Sequence, residues 1–298
     1  MTDPDAILVC GDTHGDPQHL MYLYQKALDE NAQALFIVGD YGYWEHVPNG
    51  ASWLDLNSDL AVSNDIPTYW IDGNHENHTM LRRLYGPGGE RHKPTPEGFW
   101  EIRPGVYYIP RGTRWTWHGK HLMGLGGAYS VDKDLRLEGE QDDRLEVERY
   151  RASGWHIKGK LRGPAEAMDR GEHWSWWPEE ELTEEEVDLA IAQDSTPLDL
   201  LFTHDKPRAS SPQWNRKDWP DCYPNQDKVM EVVKALKPKM LIHGHLHFAY
   251  QDEIRSSGDS WTKVIGLDCN PDRAVEANKH WQAGVQRRAS WVKVILNA

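Results

Sequence analysis

Apolar residues in this chain gather into short unbroken runs, each closed by a small polar block. Residues 6–10 (Ala-Ile-Leu-Val-Cys) stop at Gly11, residues 34–38 stop at Gly39, and residues 67–71 end just before Asp72-Gly73. Runs this short, without polar alternation, predict strands covered on both faces, as parallel sheets are. Between them the spacing turns helical. Leu20, Leu23, Tyr24, Ala27 and Leu28 mark a helix over 19–31, and Trp53, Leu56, Leu60 and Ala61 mark a second. Strand, helix, strand, helix, strand predicts a βαβαβ unit with right-handed crossovers.

The middle of the chain reads differently. Residues 86–98 are rich in Gly and Pro and predict a loop. Phe99–Ile102, Val106–Ile109, Arg114–Trp117 and Leu122–Leu125 then predict antiparallel hairpins with turns at Pro104-Gly105, Arg111-Gly112 and His118-Gly119. Residues 131–186 are the most polar stretch. Their charge-dense part, Glu138 to Arg151, reads as a solvated excursion with one helix around Leu145 and Val147. Thr183-Glu184-Glu185-Glu186 is a capping box opening a helix through Val187, Ala190 and Ile191. Beyond it, Leu198–Phe202 predicts a buried strand, 227–236 a helix and Met240–Ile242 another strand. Phe248–Ile254, Trp261–Leu267 and Trp291–Ile295 predict antiparallel strands.

Composition narrows the field. The 298 residues suffice for a substantial core, and 47 acidic against 33 basic side chains leave a formal charge of −14. That balance argues against extended nucleic acid as partner, which requires a basic face, and favours a small phosphorylated molecule. Cys10, Cys222 and Cys269 form no Cys-x-x-Cys pair, as expected of thiols in a reducing compartment. The opening Met1-Thr2-Asp3-Pro4-Asp5 lacks the basic start of a signal peptide, and no apolar run has the length of a membrane span. A cytoplasmic protein with no membrane partner is therefore expected. The 15 tryptophans accompany only four phenylalanines and are read as core filling.

Candidate chemistry sits in the polar blocks themselves. In order they are Gly11-Asp12-Thr13-His14-Gly15, Gly39-Asp40, Gly73-Asn74-His75-Glu76, Thr203-His204 and Gly244-His245-Leu246-His247. Ligands this far apart in sequence meet only if strand ends converge at one edge of a sheet. Asp12 and Asp40 offer carboxylates, His14, His204, His245 and His247 offer imidazoles, and Asn74 offers an amide oxygen. A mixed nitrogen and oxygen set of this kind suits two divalent ions of Mn²⁺, Fe or Zn²⁺ better than Ca²⁺ or Mg²⁺. Of the remaining histidines, His19, His46, His92, His118, His156 and His173 carry no such pattern.

These blocks, in this order, resemble the calcineurin-like metallophosphoesterase superfamily over roughly residues 6–250. The resemblance implies a four-layer α/β/β/α sandwich of two mixed β-sheets forming a single domain. It implies that Asp12, His14 and His247 bind one metal, that Asn74, His204 and His245 bind the other, and that Asp40 bridges both. His75 corresponds to the catalytic histidine. Gly126-Gly127-Ala128-Tyr129-Ser130-Val131-Asp132-Lys133 and Ser175-Trp176-Trp177-Pro178-Glu179-Glu180 resemble a bacterial and phage branch, in which the two pieces are nearly contiguous. About 138–170 is therefore expected to be an insertion, either a lid or a surface loop. The chain departs from the serine/threonine phosphatase branch at Tyr41-Gly42-Tyr43-Trp44-Glu45 and at Asp72. This leaves Glu45 and Asp72 as candidate carboxylate partners of His75, and Arg82, Arg111 and Arg114 as candidate phosphate ligands. The expected reaction is hydrolysis of a phosphate ester by a water shared between the metals, with His75 as general acid. A phosphodiesterase on small nucleotides such as 2′,3′-cyclic nucleotides ranks first. A phosphomonoesterase, a nuclease (disfavoured because no basic stripe accompanies the site, Arg82-Arg83 and Arg287-Arg288 being short pairs) and a non-catalytic protein-binding scaffold follow.

Overall fold

Two six-stranded sheets packed face to face carry the chain. A computed structural model describes residues 2–44, 48–85, 89–90, 93–157, 159–212, 219–269 and 290–298. The chain opens with β1 (Ala6–Cys10), α1 (Pro17–Asp29), β2 (Ala34–Val38), α2 (Pro48–Asn64), β3 (Thr68–Ile71) and α3 (His78–Tyr85). It continues through β4 (Trp100–Arg103), β5 (Val106–Tyr108), β6 (Thr113–Trp117), β7 (Lys120–Leu125), α4 (Lys133–Ala152), α5 (Arg162–Arg170) and α6 (Glu184–Ala192). The last elements are β8 (Leu200–Thr203), α7 (Tyr223–Leu236), β9 (Met240–His243), β10 (Tyr250–Ser257), β11 (Ser260–Gly266) and β12 (Trp291–Ile295).

The first sheet runs β12-β1-β2-β3-β5-β4 and the second β10-β11-β9-β8-β7-β6. Each has four parallel strands at its centre, β1, β2, β3 and β5 in one and β11, β9, β8 and β7 in the other. Each is closed at both edges by an antiparallel strand. The central strands β1, β2, β3 and β8 are buried at every position, which explains their unbroken apolar sequence. Between the sheets, Phe36 of β2 stacks on Phe202 of β8 with ring centroids 4.0 Å apart. Ile7, Val9, Ile71, Leu122, Ile242 and Ile265 fill the layer around them. The helices α1, α2 and α3 cover the outer face of the first sheet through Leu20, Leu23, Trp53, Leu54, Leu81 and Leu84. Val187, Ala190, Val229 and Val233 of α6 and α7 cover the outer face of the second. This is the expected four-layer α/β/β/α architecture.

Local rules place the helix starts. Asp16 accepts hydrogen bonds from the backbone N–H groups of Gln18 and His19, with Pro17 at the first helical position of α1. The capping box at α6 forms as expected, Thr183 and Glu186 each accepting from the other's backbone N–H.

Three expectations need correction. The hairpins β4–β5 and β6–β7 form, but the turn at Arg111-Gly112 carries the chain from one sheet to the other, so β5 and β6 belong to different sheets. β11 pairs antiparallel with β10 but parallel with β9, because the chain returns into the middle of its sheet and not to an edge. The polar stretch holds more helix than expected: the helix expected around Leu145 and Val147 is α4, and α5 follows it. α4 spans 20 residues and buries only Glu140 and Val147, so it has no apolar stripe to reveal its full length; Val147 packs with Leu161 and Ala165 in a small core of its own. α3 has no counterpart among the expected elements; at eight residues it is too short to show periodicity, although Leu81, Leu84 and Tyr85 are buried.

Candidate metal centre

The carboxyl ends of the parallel strands meet along one edge of the sandwich. β1 delivers Asp12 and His14, β2 delivers Asp40, β3 delivers Asn74 and His75, β8 delivers His204, and β9 delivers His245 and His247. The turns that follow these strands are tight. His14, Asp40, His245 and His247 all have positive φ, between 47° and 65°. A non-glycine residue there costs roughly 1–2 kcal/mol, so the sheet must hold these turns in place.

Ligand atoms converge in two overlapping groups. One ligand atom from each of Asp12, His14, Asp40 and His247 lies within 4.8 Å of the others. His247 Nε2 is 2.9 Å from Asp12 Oδ2 and 3.1 Å from His14 Nε2. In the second group His204 Nε2 lies 3.1 Å from Asn74 Oδ1 and 3.3 Å from Asp40 Oδ1, and the His204 and His245 rings are 5.0 Å apart. Asp40 faces both groups, since its other oxygen is 3.8 Å from His14 Nδ1. All seven sequence-predicted ligands are thus gathered in one place, and the His75 ring stands 5.5 Å from that of His14.

Backbone contacts fix this geometry. Asp40 Oδ1 accepts from the N–H groups of Asn74 and His75, both at 2.9 Å. His204 Nδ1 donates to the Val38 carbonyl at 2.8 Å, turning Nε2 toward the cluster, as the outer partner of a metal-bound histidine usually does. A Cβ on Gly73 would strike the Asp40 carboxylate and come within 2.7 Å of His204 Nε2, and one on Gly244 would strike Asp12 Oδ1. Both positions therefore require glycine for close approach.

The electrostatics are those of a site made for cations. Asp12 and Asp40 are fully buried, and among the described residues neither forms an ion pair with lysine or arginine; histidines are their only cationic partners. Burial pushes both carboxyls up, but His204 and the other imidazoles outweigh it and hold both well below the usual range. Burial likewise opposes charge on His204 and His247. The Asp40 and Asp12 carboxylates win and raise them to about 10 and about 11. His14, by contrast, is pulled down by burial to about 4. Buried carboxylates balanced only by imidazoles are the donor set that divalent transition ions take up. Glu76 sits behind the site and accepts from the N–H groups of Gly42 and Gly73. Burial and Asp40 raise it to about 8.

Other sequence candidates fall elsewhere. Asp72 is bound by Arg111 Nε at 2.8 Å and Tyr108 OH at 3.1 Å, so it serves a buried ion pair and not His75. Arg111 also donates to the Glu179, Glu180 and Glu181 carbonyls; Arg82 pairs with Glu186, and Arg114 with the Asp194 and Thr196 carbonyls. Glu45, His46, His92 and Arg287-Arg288 lie outside the described residues. The sequence reading missed Arg136, on the first turns of α4, which reaches the Asn74 carbonyl at 3.5 Å. No pattern in that charge-dense stretch distinguishes it. The two motifs at 126–133 and 175–180 meet in space, with Ala128 N donating to Glu180 O and Ser130 N to Glu180 Oε1, both at 3.0 Å.

An α/β sandwich whose strand ends gather buried carboxylates and imidazoles belongs to the class of metal-centred enzymes. The chain is a member of the calcineurin-like phosphoesterase family, whose model matches residues 6–249, and it is accordingly a metal-dependent phosphoesterase. Among solved structures, a dimetal phosphatase from Danio rerio is similar over 90% of this chain and 88% of its own, at 13% identity and a TM-score of 0.47. The phosphopantetheinyl hydrolase of Mycobacterium tuberculosis is similar over 98% of this chain and 96% of its own, at 14% identity and a TM-score of 0.43. No curated protein sequence matches the chain. Among the described residues no helix is long and apolar enough to cross a membrane.

Proposed function

We propose that the chain is a two-metal phosphodiesterase acting on small nucleotides, with 2′,3′-cyclic nucleotides as first candidates. In this reading Asp12, His14 and His247 hold one divalent ion, Asn74, His204 and His245 hold the other, and Asp40 is shared. Mn²⁺ is the first choice, with Fe or Zn²⁺ also suited to the donors. The observation that carries the reading is the split carboxylate of Asp40, with Oδ2 toward His14 and Oδ1 toward His204. When bound, such a pair of ions stabilises phosphoryl oxygens and lowers the pKa of water from 15.7 to about 7.

His75 then acts as general acid. Its backbone is anchored on Asp40 at 2.9 Å, and its ring stands beside the cluster, placed to protonate a departing alkoxide. Burial lowers its pKa against the pull of Asp40, and Arg136 lowers it further, so the imidazolium form that gives the proton is favoured as pH falls. Preference for a diester rests on charge. A monoester dianion calls for free arginines, whereas Arg82, Arg111, Arg114 and Arg136 are all engaged by carboxylates or carbonyls. The fold would comprise one domain over 1–298 with an insertion at about 138–170, working in the cytoplasm.

Incubation of Mn²⁺-loaded protein with bis(p-nitrophenyl) phosphate and p-nitrophenyl phosphate tests the reading, followed by a panel of cyclic nucleotides. Faster turnover of the diester is the expected result. Preference for the monoester overturns the diesterase assignment, and inactivity toward both overturns catalysis by this centre.

A further inference from the structure

Among the described residues α4 reaches the metal centre through Arg136. Arg136 donates from Nη1 to Ser130 Oγ at 2.6 Å and to Glu180 Oε2 at 3.4 Å, and from Nε to the Ser175 carbonyl at 2.5 Å. One turn further on, Glu140 accepts from the backbone N–H groups of Trp174, Ser175 and Trp176. Two successive turns of α4 are therefore fastened to the 174–180 segment. Ser130, fully buried, is where these contacts reach the centre, because its Oγ also lies 2.9 Å from Asn74 Nδ2 and 2.9 Å from Glu180 Oε2.

A hydroxyl has one proton to donate and two lone pairs to accept with. A guanidinium only donates, and an ionised carboxylate only accepts. With Glu180 ionised, as it is above the value of about 7 to which burial raises it, the Ser130 proton goes to Glu180, and the Ser130 lone pairs accept from Arg136 and from Asn74. This assigns the Asn74 amide. Its nitrogen faces Ser130 and its oxygen faces His204, 3.1 Å away. A flipped amide would turn a nitrogen without an available lone pair toward the cation. It would also set its oxygen against a hydroxyl whose proton is already committed.

We propose that Ser130, held by Arg136 and Glu180, is a positioning residue that locks the Asn74 amide with its oxygen toward the second cation. Through it α4 governs occupancy of that cation and not of the first. This rests on the two-ion reading of the centre, in which Asn74 serves one ion only.

The test is calorimetric titration of wild-type, Ser130→Ala, Ser130→Thr and Arg136→Gln proteins with Mn²⁺, paired with electron paramagnetic resonance of the spin-coupled Mn²⁺ pair. It is run at pH 8, above the value of about 7 to which burial raises Glu180 against the pull of Arg136. Ser130→Ala is expected to bind the first ion within about twofold of wild type and the second about 10–100-fold more weakly, as losses of outer partners do. The coupled signal then appears only at correspondingly higher Mn²⁺. Ser130→Thr, which keeps the hydroxyl, restores it. Arg136→Gln shifts the second ion in the same direction and supplies an independent reading if Ser130→Ala does not fold. Wild-type affinities in both Ser130→Ala and Arg136→Gln, or equal weakening of both ions, overturn the clamp while leaving the two-ion centre intact. Uptake of a single ion by the wild type overturns the two-ion centre and the clamp together.

Discussion

The backbone N–H of His245 donates to both carboxylate oxygens of Asp12, at 2.9 and 3.2 Å, across 233 residues of chain. The side chain proposed for one ion thus holds the loop that presents a ligand to the other. Asp12→Ala removes a proposed ligand and also takes from the His245 N–H its charged acceptor, a hydrogen bond worth about 1.5–3 kcal/mol. It is expected to lose both ions, whereas His247→Ala, which leaves the grip of Asp12 on the His245 N–H intact, is expected to lose one. Metal content per chain after gel filtration separates the two cases.

His75→Ala should lower kcat by about 10²–10⁴-fold toward an alkyl ester, the usual contribution of a positioned acid, while leaving the metal content unchanged. The loss should be much smaller with a p-nitrophenyl ester, whose leaving group needs little protonation. Equal losses on both substrates would show that His75 does not act as the acid.

Metal uptake should release protons. Carboxylates raise the pKa of His204 to about 10 and of His247 to about 11 against the effect of burial, so both carry a proton at neutral pH. A cation can take these nitrogens only after displacing it. Apparent affinity is therefore expected to rise between pH 6 and pH 8, about tenfold per pH unit for each proton displaced. Calorimetry in buffers of different ionisation enthalpy counts those protons directly, and a pH-independent affinity would contradict the shifts.

Asp72→Asn probes stability instead of catalysis. Asp72 and Arg111 form a buried pair at 2.7 Å, and removing one partner of such a pair typically costs about 3–5 kcal/mol. Burial raises the Asp72 carboxyl, yet Arg111 and His78 bring it below the ordinary value. A depressed carboxyl contributes stability above its unfolded pKa of about 3.9 and loses it as pH falls through the folded value. The gap between wild type and variant in urea unfolding should accordingly be full at pH 7 and narrow below about pH 4.

Much of this molecule is legible in its sequence because the signals are local. The runs at 6–10 and 34–38 are apolar throughout because both faces of each strand are covered, and the glycine after each leaves room for a tight turn. The ordered blocks around Asp12, Asp40, Asn74, His204 and His245 are equally local, each being a few residues at a strand end. Two kinds of information escaped. Helix α4 has almost no buried face, so only its part around Leu145 and Val147 was legible and its length was not. The partners of Asp72, Arg111 and Arg136 were likewise hidden, because a lone charged residue has the same appearance whether it faces water, a buried ion pair or a metal ligand.

The sequence by itself determined which residue types stand at the ends of which strands, since burial on two faces dictates apolar runs and close approach dictates glycine. Tertiary structure alone decided how those ends face one another. The split orientation of Asp40, the grip of Asp12 on His245 and the reach of Arg136 to Ser130 depend on the pairing order of two sheets and on the docking of α4. Contacts between residues distant in the chain are set by packing, and packing leaves no periodic trace at the positions it joins.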